Sequence, residues 1–543
     1  MIRMSICLLL VAVLLEIPGS PEVNDPAGGF RAARENGKAS EEVFRRTQKM
    51  LHAWLAYADP RTLLLPDFIP GYKRGKPQFD LYTPHNSGAD NYPYLVATAF
   101  FTDPALFRGR MVEMLRNEIR YTNVQDGIPG NLDLKAQKLG PASLFGAAEY
   151  AKDGLLAISE LLGRTPWFYR MADMTADLMK HAPIASDFGN LPDTGAEMNG
   201  DVLQTLVRLA SMTGDIRFYE WAERIGDAYV REVLPGNHGL PGYTWDFTRH
   251  EGPDRMRLRD HGNEIVVGLV LLHALENHRR SERAAAYRPA IAHMLDRILA
   301  SANPDGMLYN EVSCSALKPL NDRLSDNWGY VYGAVYTFYM STGEERFRDA
   351  VLRVLKNLPK YRGYDWENGS HDGYADSIEG ALYLVAREPV PEALGWIESE
   401  VPTLLRFQQP DGTIERWYGD GNWNRTLLLY ALYKTQGCYV QPWQPGVALG
   451  AHRKGDRLYV SIGSPRAWSG TLHFDYARHR RVMNFDRNYV RLNEWPEWFT
   501  VDDTRLYRLI DATGRERVRL GAELVQGIAV SAPARFTLEP YEQ

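Results

Sequence analysis

The stretch Met212-Thr213-Gly214-Asp215-Ile216-Arg217-Phe218 recurs in altered form as Ser341-Thr342-Gly343-Glu344-Glu345-Arg346-Phe347. Each copy follows an apolar helical pattern and precedes an amphipathic one. Glycine ends a helix in the left-handed conformation, and an acidic residue after it favours the start of the next helix. Weaker copies of this helix end stand at Leu162-Gly163-Arg164-Thr165 and Thr435-Gln436-Gly437. The sequence therefore predicts a chain of repeated helical hairpins.

A second recurrent element, the dipeptide Asp-Gly, precedes the helices that begin with polar residues. It occurs at Asp126-Gly127, Asp305-Gly306, Asp372-Gly373 and Asp411-Gly412, and it is typical of tight turns. The predicted repeat unit is a helix, an Asp-Gly turn, a loop, a second helix and a glycine turn, with a spacing of roughly 45 to 65 residues.

Between these marks the sequence predicts two alternating kinds of helix. The first kind is amphipathic and is predicted over Glu41–Tyr57, Pro104–Tyr121, Pro166–His181, Arg217–Leu234, Arg283–Ala300, Glu345–Leu358 and Pro391–Phe407. The second kind is apolar on nearly all sides, with polar residues at its start, and is predicted over Asp90–Phe101, Leu144–Leu162, Glu197–Met212, Asn263–Glu276, Trp328–Met340, Ala375–Ala386 and Trp423–Lys434. Apolar helices must be buried, whereas amphipathic helices lie outside them. This alternation predicts a mainly α fold, an α/α toroid of six or seven hairpins.

The two ends of the chain depart from this pattern. Residues 1–20 combine Arg3, an apolar run from Ile6 to Leu15 and the break Pro18-Gly19-Ser20, which is typical of a signal peptide and predicts a secreted or periplasmic protein. Past Cys438 the sequence predicts short strands over Arg457–Ile462, Gly470–Tyr476, Arg505–Ile510 and Ile528–Ser531. We expect a catalytic toroid over residues 21–437 and a small C-terminal β-sandwich over residues 438–543.

Composition limits the partners. The net charge is −6 without a long charged block, so nothing indicates nucleic acid as a partner, and the apolar run is too short for membrane insertion. Cys314 and Cys438 allow one disulfide at most, which excludes a disulfide framework or a thiolate zinc cluster. Thirty Tyr and thirteen Trp suit stacking against sugar rings, although large cores also use these residues.

Polar residues are predicted at one level inside the ring. Thirteen residues before the glycines that end four inner helices stand Tyr150, Asp201, Tyr330 and Asn424. In two helices without that glycine, the same count reaches Glu264 and either Ala375 or Asp376. Capping of the helix N-terminus explains single members of this set, but it does not explain the tyrosines, because tyrosine is not a typical capping residue. The N-terminal ends of the inner helices are therefore predicted to carry the active site.

The residue types suggest a role for each position. Asp201, Glu264 and Asp376 are the leading acid/base candidates, and Tyr330 and His261 are candidates for positioning the sugar or assisting proton transfer. The candidates for substrate binding are Glu197, Asn199, Asp326, Trp328, His371, Trp423, Asn424, Arg425 and Tyr150.

Metal and cofactor sites are not indicated. His261 and Glu264 are three residues apart, a spacing that can serve a metal, but no third ligand is evident. The Asp-Gly turns are the one place where a structural calcium is conceivable, although none has the spacing of a calcium-binding loop. We expect no cofactor.

The Thr-Gly-Asp/Glu helix end, the loop Gln409-Pro410-Asp411-Gly412 and the polar helix starts resemble those of the α/α-toroid glycoside hydrolases and polysaccharide lyases. This superfamily contains the unsaturated glucuronyl hydrolases and the toroid lyases with a C-terminal β domain. The resemblance covers nearly the whole chain after residue 20 at the level of architecture. It implies an active site at the N-terminal rim of the inner helices, but no diagnostic family motif is present to assign catalytic residues.

Three functions fit these patterns. A glycoside hydrolase needs two carboxylates, roughly 5 to 5.5 Å apart for retention and about 6.5 to 9.5 Å apart for inversion. Carboxylates on different inner helices suit the wider spacing, so we expect hydrolysis of a poly- or oligosaccharide with inversion. A polysaccharide lyase would instead cleave uronic-acid glycans by β-elimination, with His261, His371, Tyr330 and Arg425. A non-catalytic glycan-binding protein would use the same aromatic rim without an acid pair.

Overall fold

The protein folds as a closed ring of paired helices. The computed structural model describes residues 28–75, 77–259 and 262–542, so the signal peptide expected over residues 1–20 lies outside the described residues. Within these ranges seven inner helices each contact the next, and the last contacts the first. They run over Pro84–Asn91 continued by Tyr92–Thr102, Leu144–Glu149 continued by Tyr150–Leu155 and Leu156–Leu162, Ala196–Thr213, Glu264–Arg279, Trp328–Thr342, His371–Val385 and Asp420–Thr435.

An outer helix precedes each inner helix along the chain. The outer helices run over Gly29–Leu55, Pro104–Leu106 continued by Phe107–Met111 and Val112–Thr122, Pro166–Lys180, Ile216–Ala228 continued by Tyr229–Val233 and Leu234–Gly236, Glu282–Ala300, Glu345–Asn357 and Pro391–Arg406. Each turns an apolar stripe toward the ring, as Phe347, Val351 and Leu355 do in one of them. The predicted α/α toroid is thus confirmed, with seven hairpins in the part of the chain described.

The repeated glycine turn has the conformation that the sequence predicts. Gly214 and Gly343 end their inner helices with φ of 72° and 75°, which L-residues with a side chain rarely adopt. Asp215 then accepts a hydrogen bond from the backbone N–H of Arg217 at the start of the next outer helix. The inner helix therefore ends and the outer helix begins within three residues.

The prediction of a turn at Asp372-Gly373 is wrong. Asp372 and Gly373 lie in the first turn of the inner helix His371–Val385. The reason is the preceding Ser370, whose hydroxyl accepts a hydrogen bond from the backbone N–H of Gly373 and caps the helix there. This helix consequently begins four residues before the predicted start at Ala375, and Asp372 becomes part of the inner rim.

Strands occur at the rim and in the C-terminal part. The rim strands are Leu81–Tyr82, Asn123–Gln125, Ile128–Asp133, Lys138–Ala142, Met256–Arg257 and Glu311–Val312. A five-stranded antiparallel sheet has the order Glu516–Leu520, Leu506–Asp511, Ala534–Pro540, Arg457–Gly463, Ala448–Lys454, and a three-stranded one has the order Ile528–Ala532, Trp468–His473, Tyr439–Gln441. Their arrangement as a sandwich and the boundary after residue 437 stay predictions.

A segment of the C-terminal part enters the ring, and we call residues 488–495 the plug segment. The side chain of Arg491 donates two hydrogen bonds to Glu160, at 2.8 and 3.1 Å, and Arg208 donates to the backbone oxygen of Leu492 at 2.6 Å. Glu160 and Arg208 lie in the C-terminal halves of their inner helices. The plug segment therefore fills the ring from the end opposite the polar helix starts.

Two further expectations concern the membrane and the cysteines. In the described part of the chain, no helix combines the length and apolarity that crossing a bilayer requires. Cys314 and Cys438 are both buried, and both thiols are free. The single disulfide that the composition permits is therefore absent between these two residues.

We predict that Gly380→Ala lowers the free energy of unfolding by about 1 to 3 kcal/mol, because a Cβ there would lie 2.6 Å from the Cα of Gly329 on the neighbouring inner helix. Urea unfolding measures the change. The matched control is Gly395→Ala on an outer helix, where the nearest atom is the end of the Arg362 side chain at 3.7 Å. That variant should be neutral or gain up to about 1 kcal/mol. Equal losses in both variants would contradict the close backbone packing.

Candidate active site

A cavity of about 510 Å³ opens at the N-terminal ends of the inner helices. Every inner helix, or the loop directly before it, contributes to its lining. The described lining residues are His85, Asn86, Asp90, Phe145, Glu149, Lys152, Asp153, Glu197, Arg259, Glu264, Asp326, Asn327, Tyr330, Glu367, Asp372, Asp376, Trp417, Tyr418, Asn422, Arg425 and Leu492.

Two neighbouring π-helical turns shape one side of this cavity. They cover Pro84–Asn91 and Tyr150–Leu155, and they contact each other. A Cβ on Gly154 would lie 3.1 Å from the backbone oxygen of Gly88, so glycine allows this approach. Turns of this kind widen a helix locally and are frequent at functional sites. Here they direct polar side chains of two inner helices into the ring.

One wall of the cavity is an acidic cluster around a buried ammonium group. Nζ of Lys152 lies 2.7 Å from Oδ1 of Asp153, 2.7 Å from Oε1 of Glu264 and 3.7 Å from Oδ1 of Asp201. Carboxylate oxygens of Glu149, Asp153 and Asp201 lie within 4.8 Å of one another. We call these five residues the Lys152 cluster. It joins three consecutive inner helices.

The electrostatics of the Lys152 cluster favour a bound proton. Burial, with Asp201 and Asp153 alongside, raises the pKa of Glu149 well above its ordinary value. Burial also raises the pKa of Asp201, although Lys152 opposes the shift. Burial lowers the pKa of Lys152, but Asp153 and Glu264 outweigh it and raise that pKa. The shifts thus favour the charged form of Lys152 and the protonated forms of Glu149 and Asp201.

Glu149, Asp153 and Asp201 are also close enough to hold a metal ion. Metal ligands must be deprotonated, whereas burial and mutual repulsion raise the pKa of Glu149 and of Asp201. The ammonium group of Lys152 already supplies a positive charge among the three carboxylates. The donor set thus fits a proton-sharing cluster better than a metal site.

The wall across the cavity is organised by Arg425. Its Nη2 lies 3.0 Å from Oδ1 of Asp376 and 2.5 Å from Oε2 of Glu379. Nδ2 of Asn327 donates to the other oxygen of Asp376 at 2.9 Å. Both carboxylate oxygens of Asp376 are therefore held in place. Tyr330 is adjacent, with its hydroxyl 3.2 Å from Nη2 of Arg425.

Neighbouring acids on this wall also have raised pKa values. Burial and the adjacent Asp376 raise the pKa of Asp326 well above its ordinary value. Burial and the charge of Asp376 also raise the pKa of Asp372 well above its ordinary value. Burial raises the pKa of Glu379 to about 7 even though Arg425 opposes the shift. This wall therefore combines one oriented carboxylate with several groups that accept protons readily.

The cavity as a whole is strongly acidic. Its described lining contains nine carboxylates, listed here: Asp90, Glu149, Asp153, Glu197, Glu264, Asp326, Glu367, Asp372 and Asp376. The same lining has three Lys or Arg side chains, and each of them is paired with a carboxylate, Arg259 with Glu367 at 3.5 Å. A cavity with this charge attracts cationic ligands, repels anionic ones and leaves the approach of neutral ones unaffected.

Aromatic rings stand among the acids. Phe145 is 39 % exposed, and its ring centroid lies 5.6 Å from that of His85. Trp417 and Tyr418 form a second pair, with centroids 4.7 Å apart. Burial lowers the pKa of His85, so this imidazole is neutral near pH 7. The aromatic rings provide apolar faces of the kind that sugar rings stack on.

The structure brings six of the predicted site residues to the cavity: Glu197, Glu264, Asp326, Tyr330, Asp376 and Arg425. His261 lies outside the described residues. Asp201 is fully buried and belongs to the Lys152 cluster, behind the residues that line the cavity. Asp201 is thus placed behind the cavity wall, and its acid/base role stays a prediction.

The remaining predicted binding residues are fully buried between helices and are not among those that line the cavity: Tyr150, Asn199, Trp328, His371, Trp423 and Asn424. Side-chain polar atoms of five of them form hydrogen bonds within the protein, whereas the hydroxyl of Tyr150 has no hydrogen-bond partner in the described part of the chain. The indole N–H of Trp328 donates to Ser377 at 2.8 Å, and that of Trp423 donates to a backbone oxygen of Leu404 at 2.8 Å. Similarly, the side-chain amides of Asn199 and Asn424 donate to backbone oxygens. The structure thus places these residues in the helix packing around the cavity, and their predicted binding role stays a prediction.

Several lining residues were not predicted as site residues: Glu149, Lys152, Asp153, Arg259, Asn327, Glu367, Asp372, Trp417, Tyr418, Asn422 and Leu492, together with His85, Asn86, Asp90 and Phe145. One sequence feature does point to the acidic wall. Lys152 and Asp153 form a charged pair inside a run of small residues on a helix predicted to be apolar. Leu492 has no such feature, because it comes from the plug segment.

No family model matches the chain, and no curated protein matches it. Solved structures that resemble it include a family 76 glycoside hydrolase (mannosidase) from Bacteroides thetaiotaomicron, 13 % identical, covering 72 % of this chain and 99 % of that one with a TM-score of 0.41. A cellobiose 2-epimerase from Bacillus thermoamylovorans is 13 % identical, with 59 % and 87 % covered and a TM-score of 0.42. A D-mannose isomerase is 12 % identical, with 58 % and 84 % covered and a TM-score of 0.42. Likeness at this level assigns no activity.

His371 holds the rim together through charge. Its Nε2 lies 2.9 Å from the backbone oxygen of Gly419, and its Nδ1 lies 3.5 Å from a carboxylate oxygen of Glu415. Burial lowers the pKa of His371, but Glu415, Asp420 and Asp372 outweigh it and raise that pKa to about 9. Because this value exceeds the ordinary one, the imidazolium stabilises the fold at low pH. The stabilisation is lost as pH rises through about 9.

We predict that the wild-type protein loses about 3 kcal/mol more unfolding free energy than His371→Gln between pH values near 6 and near 10. The variant lacks the titrating imidazole but keeps a donor for Gly419. Urea unfolding of both proteins at the two pH values measures the difference. Parallel pH profiles would contradict the assignment of a charged, structural His371.

Proposed function

We propose that this protein is a carbohydrate-active enzyme that hydrolyses glycosidic bonds in a neutral poly- or oligosaccharide. The observation that carries the proposal is the cavity with two acidic walls, one around Lys152 and one around Arg425. The two walls belong to inner helices on different sides of the ring. Carboxyl groups on opposite sides of a sugar are what an inverting hydrolase requires.

The general acid in this mechanism is Glu149. It lines the cavity, and burial beside Asp201 and Asp153 raises its pKa, which favours the protonated form that a general acid needs. Glu149 donates that proton to the glycosidic oxygen as the bond to the anomeric carbon breaks. The resulting carboxylate lies within the cluster that contains Lys152, whose positive charge stabilises it.

The general base is Asp376. Hydrogen bonds from Arg425 and Asn327 orient its two oxygens, and the residue lines the cavity. Asp376 takes a proton from a water molecule while the water oxygen attacks the anomeric carbon on the face opposite the leaving group. Inversion follows from this geometry. Phe145 and Trp417 supply apolar surfaces for the sugar faces.

The charge of the cavity favours neutral substrates over uronic acids. A lyase needs a free cation to neutralise a uronate carboxylate, but Arg425 is already bound to Asp376 and Glu379. His371, a candidate for the lyase base, is fully buried and is held by Gly419 and Glu415. These contacts support hydrolysis rather than β-elimination.

Three features of the proposal rest on the sequence. The signal peptide expected over residues 1–20 places the reaction in a secreted or periplasmic protein. The proposed chemistry uses only side chains of this chain, so we propose that it needs no cofactor and no catalytic metal. We further propose that the two C-terminal sheets form a β-sandwich that supports the ring.

The direct test is product analysis on a panel of neutral and uronic-acid glycans, following reducing ends and absorbance near 235 nm together. We expect new reducing ends from a neutral glycan without a rise in absorbance. Both signals rising together on a uronic-acid glycan would establish β-elimination and contradict the proposal. Binding without either signal would favour a non-catalytic glycan-binding protein.

Variants of the two walls test the roles. We predict that Glu149→Gln and Asp376→Asn each lower kcat by about 10² to 10⁴ with a smaller change in KM, because each removes a proton-transfer group. Glu345→Gln, an exposed carboxylate on an outer helix, is the control and should keep wild-type kcat. A loss below about threefold in either wall variant would contradict the assignment.

A further inference from the structure

The plug segment contributes to the floor of the cavity, although it lies about 340 residues after Asp153 in the chain. Leu492 lines the cavity, and the next residue, Asn493, is 1 % exposed. Nδ2 of Asn493 lies 2.9 Å from Oδ1 of Asp153, and Nη1 of Arg425 lies 3.1 Å from Oδ1 of Asn493. One amide therefore donates to the acidic wall around Lys152 and accepts from the wall around Arg425.

Further hydrogen bonds hold the side chain and the backbone of Asn493 in place. Nδ2 of Asn493 also donates to the backbone oxygen of Lys152 at 3.1 Å, and its backbone N–H donates to the hydroxyl of Tyr383 at 3.2 Å. The backbone of Asn493 has φ of 64°, a left-handed conformation that asparagine tolerates better than most residues. The side chain therefore has a single arrangement in which all its contacts are made.

The plug segment itself is anchored by buried ion pairs. Arg387, at the end of an inner helix, lies 2.5 Å from Glu494, and Glu494 lies 3.2 Å from Arg491. The indole N–H of Trp495 donates to the backbone oxygen of Ala157 at 2.9 Å. Residues on both sides of Asn493 are thus bound to the ring, which keeps its amide at the cavity floor.

We infer that Asn493 is a positioning residue for the reaction, holding Asp153 and Arg425 in fixed relation so that the acid and base walls act on the same bond. The effect of Asn493 on catalysis rests on the proposed function, whereas its hydrogen bonds to the two walls do not. It gives the C-terminal part a direct share in the active site. A toroid ending at residue 437 would lack both this link and the cavity floor.

The chemistry explains why an amide is needed. Asn493 presents a donor to a carboxylate and an acceptor to a guanidinium at the same time, which neither a carboxylate nor an ammonium side chain can do. Its N–H donates to the carboxylate of Asp153, and removal of this hydrogen bond changes the charge balance of the Lys152 cluster, which contains Glu149. Loss of the amide should therefore change the pH dependence of turnover as well as its rate.

Two variants test this, Asn493→Gly and Asn493→Asp, with Asn484→Gly as the matched control. Glycine keeps the positive φ without strain, and aspartate keeps the shape but turns the donor into an acceptor. Asn484 also has a positive φ, of 56°, and its side chain donates to the backbone oxygen of Ser211, at the end of an inner helix far from the polar rim. We expect both Asn493 variants to lose about tenfold to 100-fold in kcat/KM.

The pH profile separates positioning from simple destabilisation. In Asn493→Asp the basic limb of kcat/KM, which reports the general acid Glu149, should move up by about one pH unit, because a further carboxylate then faces the Lys152 cluster. The control should keep the wild-type profile. If both Asn493 variants lower only the melting temperature and leave the profile and kcat of the folded enzyme unchanged, the inference is overturned while hydrolysis by the wild type still supports the proposed function.

A second readout does not depend on turnover. The new carboxyl group in Asn493→Asp faces Asp153, so the variant should be less stable than the wild type near pH 7, and the gap in melting temperature should narrow toward pH 4.5 as one carboxyl is protonated. A gap that is constant with pH would contradict the contact between Asn493 and Asp153. Absence of any wild-type activity would contradict the proposed function and leave this measurement to decide the inference.

Discussion

A single buried ammonium group holds the acidic side of the ring together. Lys152 is 1 % exposed and lies within 3.7 Å of carboxylates from two other inner helices as well as its neighbour Asp153. Carboxylates packed this closely repel one another, and burial makes their charged forms costly. Lys152 offsets part of that repulsion, and protons retained by Glu149 and its neighbours offset the rest. The same cluster leaves Glu149, a carboxyl group with a raised pKa, at the cavity surface.

The ring and the C-terminal part depend on each other through this site. Glycines bring inner helices close together, as Gly329 and Gly380 do, and the plug segment fills the end of the ring opposite the polar helix starts. Leu492 and Asn493 are carried to the cavity floor by that packing. The structure thus offers a physical reason for a C-terminal part that a helical ring alone does not require. The charge of the cavity, which repels anions, and its aromatic rings agree with the proposed neutral sugar as the ligand.

The fold follows from the sequence more closely than the site does. Glycine turns and hydrophobic periodicity are local, so helix ends such as Leu162 and Gly214 are predicted within a residue or two. Counting thirteen residues back from Gly163 failed, because the π-helical turn shifts the helical register. One inserted residue corresponds to about 100° of rotation. With that correction the count reaches Glu149, which lines the cavity, instead of the buried Tyr150.

Other parts of the site had no local trace in the sequence. Whether Trp328 and Trp423 face the cavity or the helix packing depends on tertiary contacts, and both bond within the core. The contribution of Asn493 depends on a contact between segments that are about 340 residues apart. Hydrophobic periodicity describes residues that are near one another in sequence, so it cannot predict such a contact.

The most direct measurement is a crystal structure of Glu149→Gln with a neutral oligosaccharide that the wild type cleaves. The account predicts a sugar across the cavity floor above Asn493, with the glycosidic oxygen beside residue 149 and Asp376 facing the anomeric carbon from the other side. A sugar bound outside this cavity would contradict the account, and so would residue 149 and Asp376 on the same face of the sugar ring.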